Sequence, residues 1–316
     1  MTVPLLITLS VMLTFALVGP LLARGLPPAV ATRLLVPASL VVGVCAAWAL
    51  LIVGFTWVAQ LGPVSRYGDW SPEQLRQDTP FPTIIAVGCG LVAVGSVTQA
   101  SVVGTRRIRR MLAVRHACGP LGEPGSLVVL DDDRPDAFAT PGAGGRIVVT
   151  TGLLRALTAA ERRALIAHEK AHLTHRHAWW LLATEVAAAA NPLLRPTAAA
   201  IEHAVERWAD EDAAREVTDR RLVARTLART ALLTRAATVP ATGLAAAGGD
   251  VPCRVRALLA PPPRPRILPL TVLLALLTTC TVAAGTVQHR GDQLLDRAGA
   301  TPTGEPPIHH HRHHLP

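Results

Sequence analysis

Ten consecutive residues, His168-Glu169-Lys170-Ala171-His172-Leu173-Thr174-His175-Arg176-His177, concentrate the reactive groups of this 316-residue chain. Within them, two histidines four apart with a glutamate beside the first spell H-E-x-x-H. Positions i and i+4 of an α-helix share a face, so His168 and His172 can present ring nitrogens to one metal ion. Glu169 projects next to that face, too close to be the best third ligand and well placed to take a proton from an attacking water. The chemistry implied is zinc-assisted hydrolysis, with Zn2+ as the cofactor.

A catalytic zinc needs three protein ligands and one open position. At the metzincin spacing, the third would be a histidine six residues after His172; Ala178 stands there, which disfavours that arrangement. Cysteine is no better a source. Cys45, Cys89, Cys118, Cys253 and Cys280 form no close pair, so they make neither a disulfide framework nor a thiolate zinc site. The remaining candidates lie in Ile201-Glu202-His203-Ala204-Val205-Glu206-Arg207-Trp208-Ala209-Asp210. Glu206 can reach the metal from a second helix. Asp210, one turn further on the same face, can accept the outer N–H of a liganding histidine and fix its tautomer. His203, one turn before Glu206, is a candidate for steadying a tetrahedral intermediate. His175 and His177 follow the pair too closely on a continuous helix to face the same metal, and read as solvated or locally hydrogen-bonded.

Local signals place these residues on elements. Thr158-Ala159-Ala160-Glu161 is a capping box, and Leu154, Leu157, Leu165 and Ile166 supply an apolar stripe, so a helix runs from about residue 159 into the 170s. Leu127–Leu130 reads as a short strand, followed by the turn-forming Asp131-Asp132-Asp133-Arg134-Pro135. Gly142-Ala143-Gly144-Gly145 then leads into a second strand, Arg146-Ile147-Val148-Val149-Thr150, which suggests a hairpin beside the metal helix. A free edge at Ile147, Val148 and Val149 would hold an extended peptide through main-chain hydrogen bonds.

Half of the residues are hydrophobic and the mean hydropathy is +0.35. The apolar residues gather in four uncharged stretches, 3–23, 34–61, 81–104 and 267–287, each near the roughly 20 residues a bilayer crossing needs. The first has no Lys or Arg before Arg24 and therefore lacks the basic start of a signal peptide. A fifth stretch, 178–194, has Glu185 in its middle and reads as a helix resting against the bilayer. Trp179 and Trp180 suit either a core or an interfacial belt.

Arginine placement orients the spans. Arg24 and Arg33 follow the first, Arg106, Arg107, Arg109, Arg110 and Arg115 follow the third, and Arg264 and Arg266 precede the fourth. The second loop is acidic on balance, with Asp69, Glu73 and Asp78 against Arg66 and Arg76. This puts residues 105–266 in the cytoplasm of a multi-pass plasma-membrane protein and a tail, 288–316, outside. The net charge of +9 sits largely beside the spans, and one Tyr and four Phe give no stacking platform, so direct nucleic-acid binding is not expected. The tail contains His309-His310-His311-Arg312-His313-His314, a metal-binding composition or a disordered polar end.

Asp136-Ala137-Phe138-Ala139, then Val148-Val149-Thr150-Thr151-Gly152-Leu153-Leu154, the H-E-x-x-H helix, and Glu206-x-x-Ala209-Asp210 together resemble the integral-membrane gluzincins. These include HtpX-like quality-control proteases, CAAX prenyl proteases and BlaR/MecR-type signal-transducing peptidases. The likeness covers roughly residues 125–215. It implies His168, His172 and Glu206 as zinc ligands and Glu169 as general base. Ala171 stands where HtpX-like proteins usually have Gly, and Asp136 where they usually have Asn. Three spans before the metal segment and one after resemble the BlaR/MecR type, which implies a regulatory protease with a substrate such as a cytoplasmic transcriptional repressor. No S-x-x-K penicillin-binding sensor follows the fourth span, so β-lactam sensing is not implied. The expected fold is a mainly α membrane protein: four transmembrane helices plus a cytoplasmic α+β zinc metalloprotease domain with a small β-sheet. HtpX-like quality control, and a non-proteolytic membrane metal sensor using the histidine tail, are the alternatives.

Overall fold

Leucine, valine and alanine without interrupting charge form helices wherever the run is long enough, and here they form four that are long and apolar enough to cross a membrane. In the computed structural model these are α1 (Thr2–Gly25), α2 (Pro28–Val58), α5 (Thr83–Cys118) and α12 (Ile267–Gly299). Two short helices, α3 (Gly62–Tyr67) and α4 (Pro72–Asp78), join the second span to the third. The structure describes the whole chain apart from residues 122, 124, 142, 143, 239–249, 263–266 and 300–316. The histidine tail, part of the glycine-rich turn and the proline-rich lead into α12 therefore lie outside the described residues.

Hydrocarbon thickness limits the apolar run but not the helix. α5 continues from its apolar part through the arginine cluster to Cys118, a rod of about 54 Å at 1.5 Å per residue. α12 likewise runs past residue 287 to Gly299. α2 and α5 approach closely because both carry glycine at the crossing: a Cβ on Gly54 would lie 2.5 Å from the Cα of Gly90.

After α5 the chain builds a three-stranded sheet from β1 (Leu127–Leu130), β2 (Ala137–Ala139) and β3 (Ile147–Thr150) in the order β1-β3-β2. β1 pairs parallel to β3, and β2 pairs antiparallel to it, with Phe138 opposite Val148. This corrects the expectation for Ile147, Val148 and Val149. They lie in the middle strand, both of its edges are taken, and all three side chains are buried. The edge left open beyond β3 belongs to β2, which sequence alone does not reveal because the parallel β1–β3 pairing is a long-range contact.

Helices complete the metal segment: α6 (Thr151–Ala156), α7 (Ala159–Thr174), α8 (His177–Ala190), α9 (Arg195–Val217), α10 (Arg220–Thr238) and α11 (Asp250–Leu259). α7 starts on the capping box, Thr158 accepting from the Glu161 N–H and Glu161 reaching back to the Thr158 backbone. The largest core is shared between the spans and this segment. Phe15 of α1, Leu35 and Val42 of α2 and Cys280 of α12 bury together with Ile201 and Val205 of α9. A Cβ on Gly19 would lie 2.4 Å from the Thr197 hydroxyl, so α1 and α9 also touch backbone to side chain. Trp180 packs against this core and donates Nε1–H to the His175 carbonyl at 3.2 Å, while Trp179 stays exposed.

Candidate metal centre

α7 presents His168 and His172 on one face, as their spacing requires, and α9 crosses it to bring Glu206 in from the side. His168 Nε2 and His172 Nε2 lie 3.1 Å apart, and each is 3.7 Å from a Glu206 oxygen. Ligands bound at about 2.0–2.1 Å to a tetrahedral ion sit about 3.3–3.4 Å from one another. The two 3.7 Å separations run to different Glu206 oxygens, and one donor atom from each of the three residues falls within 4.8 Å of the others, so two imidazoles and one carboxylate can gather about a zinc ion beside the cleft.

The outer nitrogens of both rings are held. Asp210 Oδ1 lies 3.1 Å from His168 Nδ1 and keeps its proton on that side, turning the Nε2 lone pair inward. His172 Nδ1 meets Nδ1 of His177 at 3.0 Å. His177 is fully buried, and its other nitrogen has no hydrogen-bond partner among the described residues. His177 reaches this place because Arg176 adopts a left-handed conformation, φ 53°, which ends α7 and turns the chain back beneath His172. On a continuous helix it would have pointed away.

A second buried group completes the frame. Arg254 of α11 donates two hydrogen bonds of 2.8 Å to the Asp210 carboxylate, and its remaining nitrogen lies 3.0 Å from Glu206. It lies 44 residues beyond Asp210 with no local pattern to mark it, so sequence reading missed it.

The electrostatics favour positive charge between the two imidazoles. Burial works against a protonated His168, yet hydrogen bonds to Asp210 and Glu206 outweigh it and raise its pKa to about 10. Burial and the neighbouring His168 push His172 down to about 4. Glu206 is held down to about 2: burial opposes ionisation, but His168, His172 and Arg254 prevail. Asp210 is likewise lowered, Arg254 and His168 overcoming its burial. These groups hold a cation at the point where the three donors converge.

Glu169 is buried on the next position of α7, and burial raises its carboxyl to about 7, partly offset by His168. It stands on the floor of a cleft of about 470 Å³ with His168, His172 and Glu206, and the edge strand β2 forms one wall. The bonds from Thr150 N–H to Asp136 O and from Thr140 N–H to Arg146 O set the ladder alternation. Ala137 and Ala139 consequently turn their main-chain groups away from β3; the Ala137 N–H donates to the Asp136 carboxylate at 2.9 Å and the Ala139 N–H to Glu169, which leaves the two carbonyls at the open edge.

The other residues singled out by sequence fall outside this cluster. His203 pairs with Asp250 and, together with Glu206, lines a second cavity of about 500 Å³. His175 pairs with Asp212 and stacks on Trp208 at 4.4 Å between centroids, with the Arg33 guanidinium 4.5 Å from the indole ring.

Residues 105–191 match the family model described as Peptidase family M48, a stretch that includes His168, Glu169 and His172 and ends before Glu206. Over 73 residues the chain is 44% identical to a protein named Protease HtpX homolog from Acidiphilium cryptum, covering 21% of this chain and 24% of that one. Homologues of the same name from Thermoplasma acidophilum and Aeropyrum pernix are 51% identical over 57 residues and 46% over 63. Those matches cover 17% and 19% of this chain and 18% and 20% of the relatives. The chain thus spans about a quarter or less of the length of each relative in the matched region. No solved structure matches. The matches support a membrane-type M48 metallopeptidase.

Proposed function

We propose that the chain is a membrane-embedded zinc metalloendopeptidase that hydrolyses peptide bonds at the cytoplasmic face. The observation that carries this is the convergence of His168, His172 and Glu206, whose donor atoms lie within 4.8 Å of one another, with Glu169 beside them on the cleft floor. Zinc held there supplies Lewis-acid polarisation of a scissile carbonyl and lowers the pKa of water from about 15.7 towards roughly 7. The chain's own groups do the rest. Asp210 and His177 fix the two imidazoles, and Arg254 steadies Asp210 and Glu206. Glu169 takes the proton of the attacking water and returns it to the leaving nitrogen. The outward carbonyls of Ala137 and Ala139 accept from the substrate backbone and hold it in extended form across the cleft.

The test is cleavage of a fluorogenic peptide library by the full chain purified in detergent with zinc. The wild type is expected to cut and Glu169→Gln to retain zinc without cutting. Equal rates for the two would end the assignment of base.

Cytoplasmic orientation rests on the arginine-rich third connection, and a plasma-membrane location follows from the same reading. The arrangement of three spans before the site and one after supports regulatory proteolysis, for instance of a transcriptional repressor. The HtpX homologues support membrane-protein quality control equally well. Comparing cells carrying wild type and Glu169→Gln separates them, since one soluble protein accumulates under the first reading and many membrane proteins under the second. A metal sensor without proteolysis would depend on the tail, and a metal response that survives deletion of 308–316 counts against it.

A further inference from the structure

α5 carries its arginines out of the apolar span and into one wall of the cleft. Arg107, Arg110, Met111 and Val114 line it, and their spacing of i, i+3, i+4 and i+7 marks a single helical face. Arg109 belongs to the same basic run but to the other side of the helix. Arg176, at the corner between α7 and α8, adds a third guanidinium to the rim, and Trp179 lies beside it.

Two of these cations have no acidic partner among the described residues. Arg107 has one: its buried Nε forms an ion pair with Glu185 at 3.6 Å, beyond hydrogen-bond reach. Arg110 and Arg176 are exposed and form no ion pair among the described residues. The carboxylates in the cleft, Glu169 and Glu206, are engaged at the metal centre.

We propose that the cleft selects substrates bearing an acidic side chain, Asp or Glu, close to the scissile bond, received by Arg110 with Arg107 behind it. This rests on the peptidase reading above and names the substrate class of that same site. A guanidinium fork matches a carboxylate in two parallel hydrogen bonds. Met111 and Val114 on the same face offer apolar contact to the stem of such a side chain. A lysine or arginine in that position meets like charge and is rejected. Anionic headgroups near the end of the span account for basic residues on any face of α5. They do not account for two guanidinium groups turned into a cleft beside a metal centre.

The experiment uses the full chain in detergent with zinc and paired peptides differing only in Glu, Ala or Lys at each position flanking the cleavage site. The readout is the ratio of kcat/KM for the Glu peptide to that for the Lys peptide, which general damage to the enzyme does not move. At one position the wild type is expected to favour Glu by about tenfold or more, and R110E to bring the ratio to about one or below. R109E, on the opposite face, is expected to leave the ratio unchanged. A wild-type ratio near one at every position, or a ratio indifferent to R110E, overturns the proposal. A ratio moved as far by R109E as by R110E also overturns it, because the charge is then acting as a membrane-surface field. If no peptide is cut in a Glu169-dependent way, the peptidase reading itself fails and this preference with it.

Discussion

His177 Nδ1 lies 3.0 Å from Nδ1 of His172, the nitrogen opposite the one His172 turns toward His168 and Glu206. If His172 ligates through Nε2, its Nδ1–H donates to His177, which must then be neutral and carry its own proton on Nε2. Burial, with His172 and His175 nearby, pushes His177 down to about 3, which keeps it neutral. His177→Phe fills a similar volume and removes the acceptor. It is expected to weaken zinc binding by about 10–100-fold, measured by competition with a chromogenic chelator. Unchanged affinity would mean the imidazole only fills space.

Arg254 neutralises the buried Asp210 and the partly exposed Glu206 at once. Arg254→Met removes that partner from both and is expected to cost about 3 kcal/mol of stability, read from chemical denaturation in detergent. Arg254→Lys supplies the charge but not the fork, so it should recover only part of the loss. Full recovery by lysine would show that the two 2.8 Å contacts to Asp210 matter less than net charge.

The capping box gives a pH signature. Hydrogen bonding from the Thr158 backbone holds Glu161 below its ordinary 4.5, against its burial, with the Thr158 hydroxyl and Arg229 assisting. A carboxylate depressed in the folded state adds stability above its unfolded pKa and loses it as pH falls through the folded one. Glu161→Gln keeps a capping acceptor but loses the negative charge at the helix N-terminus, so it should cost about 0.3–1 kcal/mol at pH 7, and the difference should shrink below about pH 4.5. Thermal melts at pH 7 and at pH 3.5 check this. Arg229 is half exposed, so its ion pair contributes little of the effect.

Zinc removal offers a further check. His168, Glu206 and Asp210 favour a cation between the imidazoles, so chelation should leave His168 protonated at neutral pH rather than leave the pocket neutral. An imidazole resonance for His168 that titrates near its ordinary value of 6.5 in the stripped protein would contradict this.

How far sequence reading reached depends on the range of the interaction. The i, i+4 histidines and the Thr158–Glu161 cap are local and were legible. So were the charge-free stretches that become α1, α2, α5 and α12, because length and composition decide them. Glu206 and Asp210 were legible as a helical pair, though nothing local said what would lie above them. The sheet order was not, because β1 reaches β3 across β2 in sequence and so buries the strand expected to be free. His177 was read as off-face because a straight helix was assumed, and the left-handed residue Arg176 breaks that assumption. Arg254 and Arg33 act through partners 44 and 175 residues away, by the differences between their numbers and those of Asp210 and Trp208.

Ile201 and Val205 of the helix that carries Glu206 are sealed by Phe15, Leu35 and Val42, residues of the first two hydrophobic rods. Cutting the chain to the hydrolytic portion alone would strip that cover and leave a greasy stripe facing water. Such a fragment should precipitate or fold only in amphiphile, so the apolar rods and the roof over the candidate metal centre are the same piece of architecture.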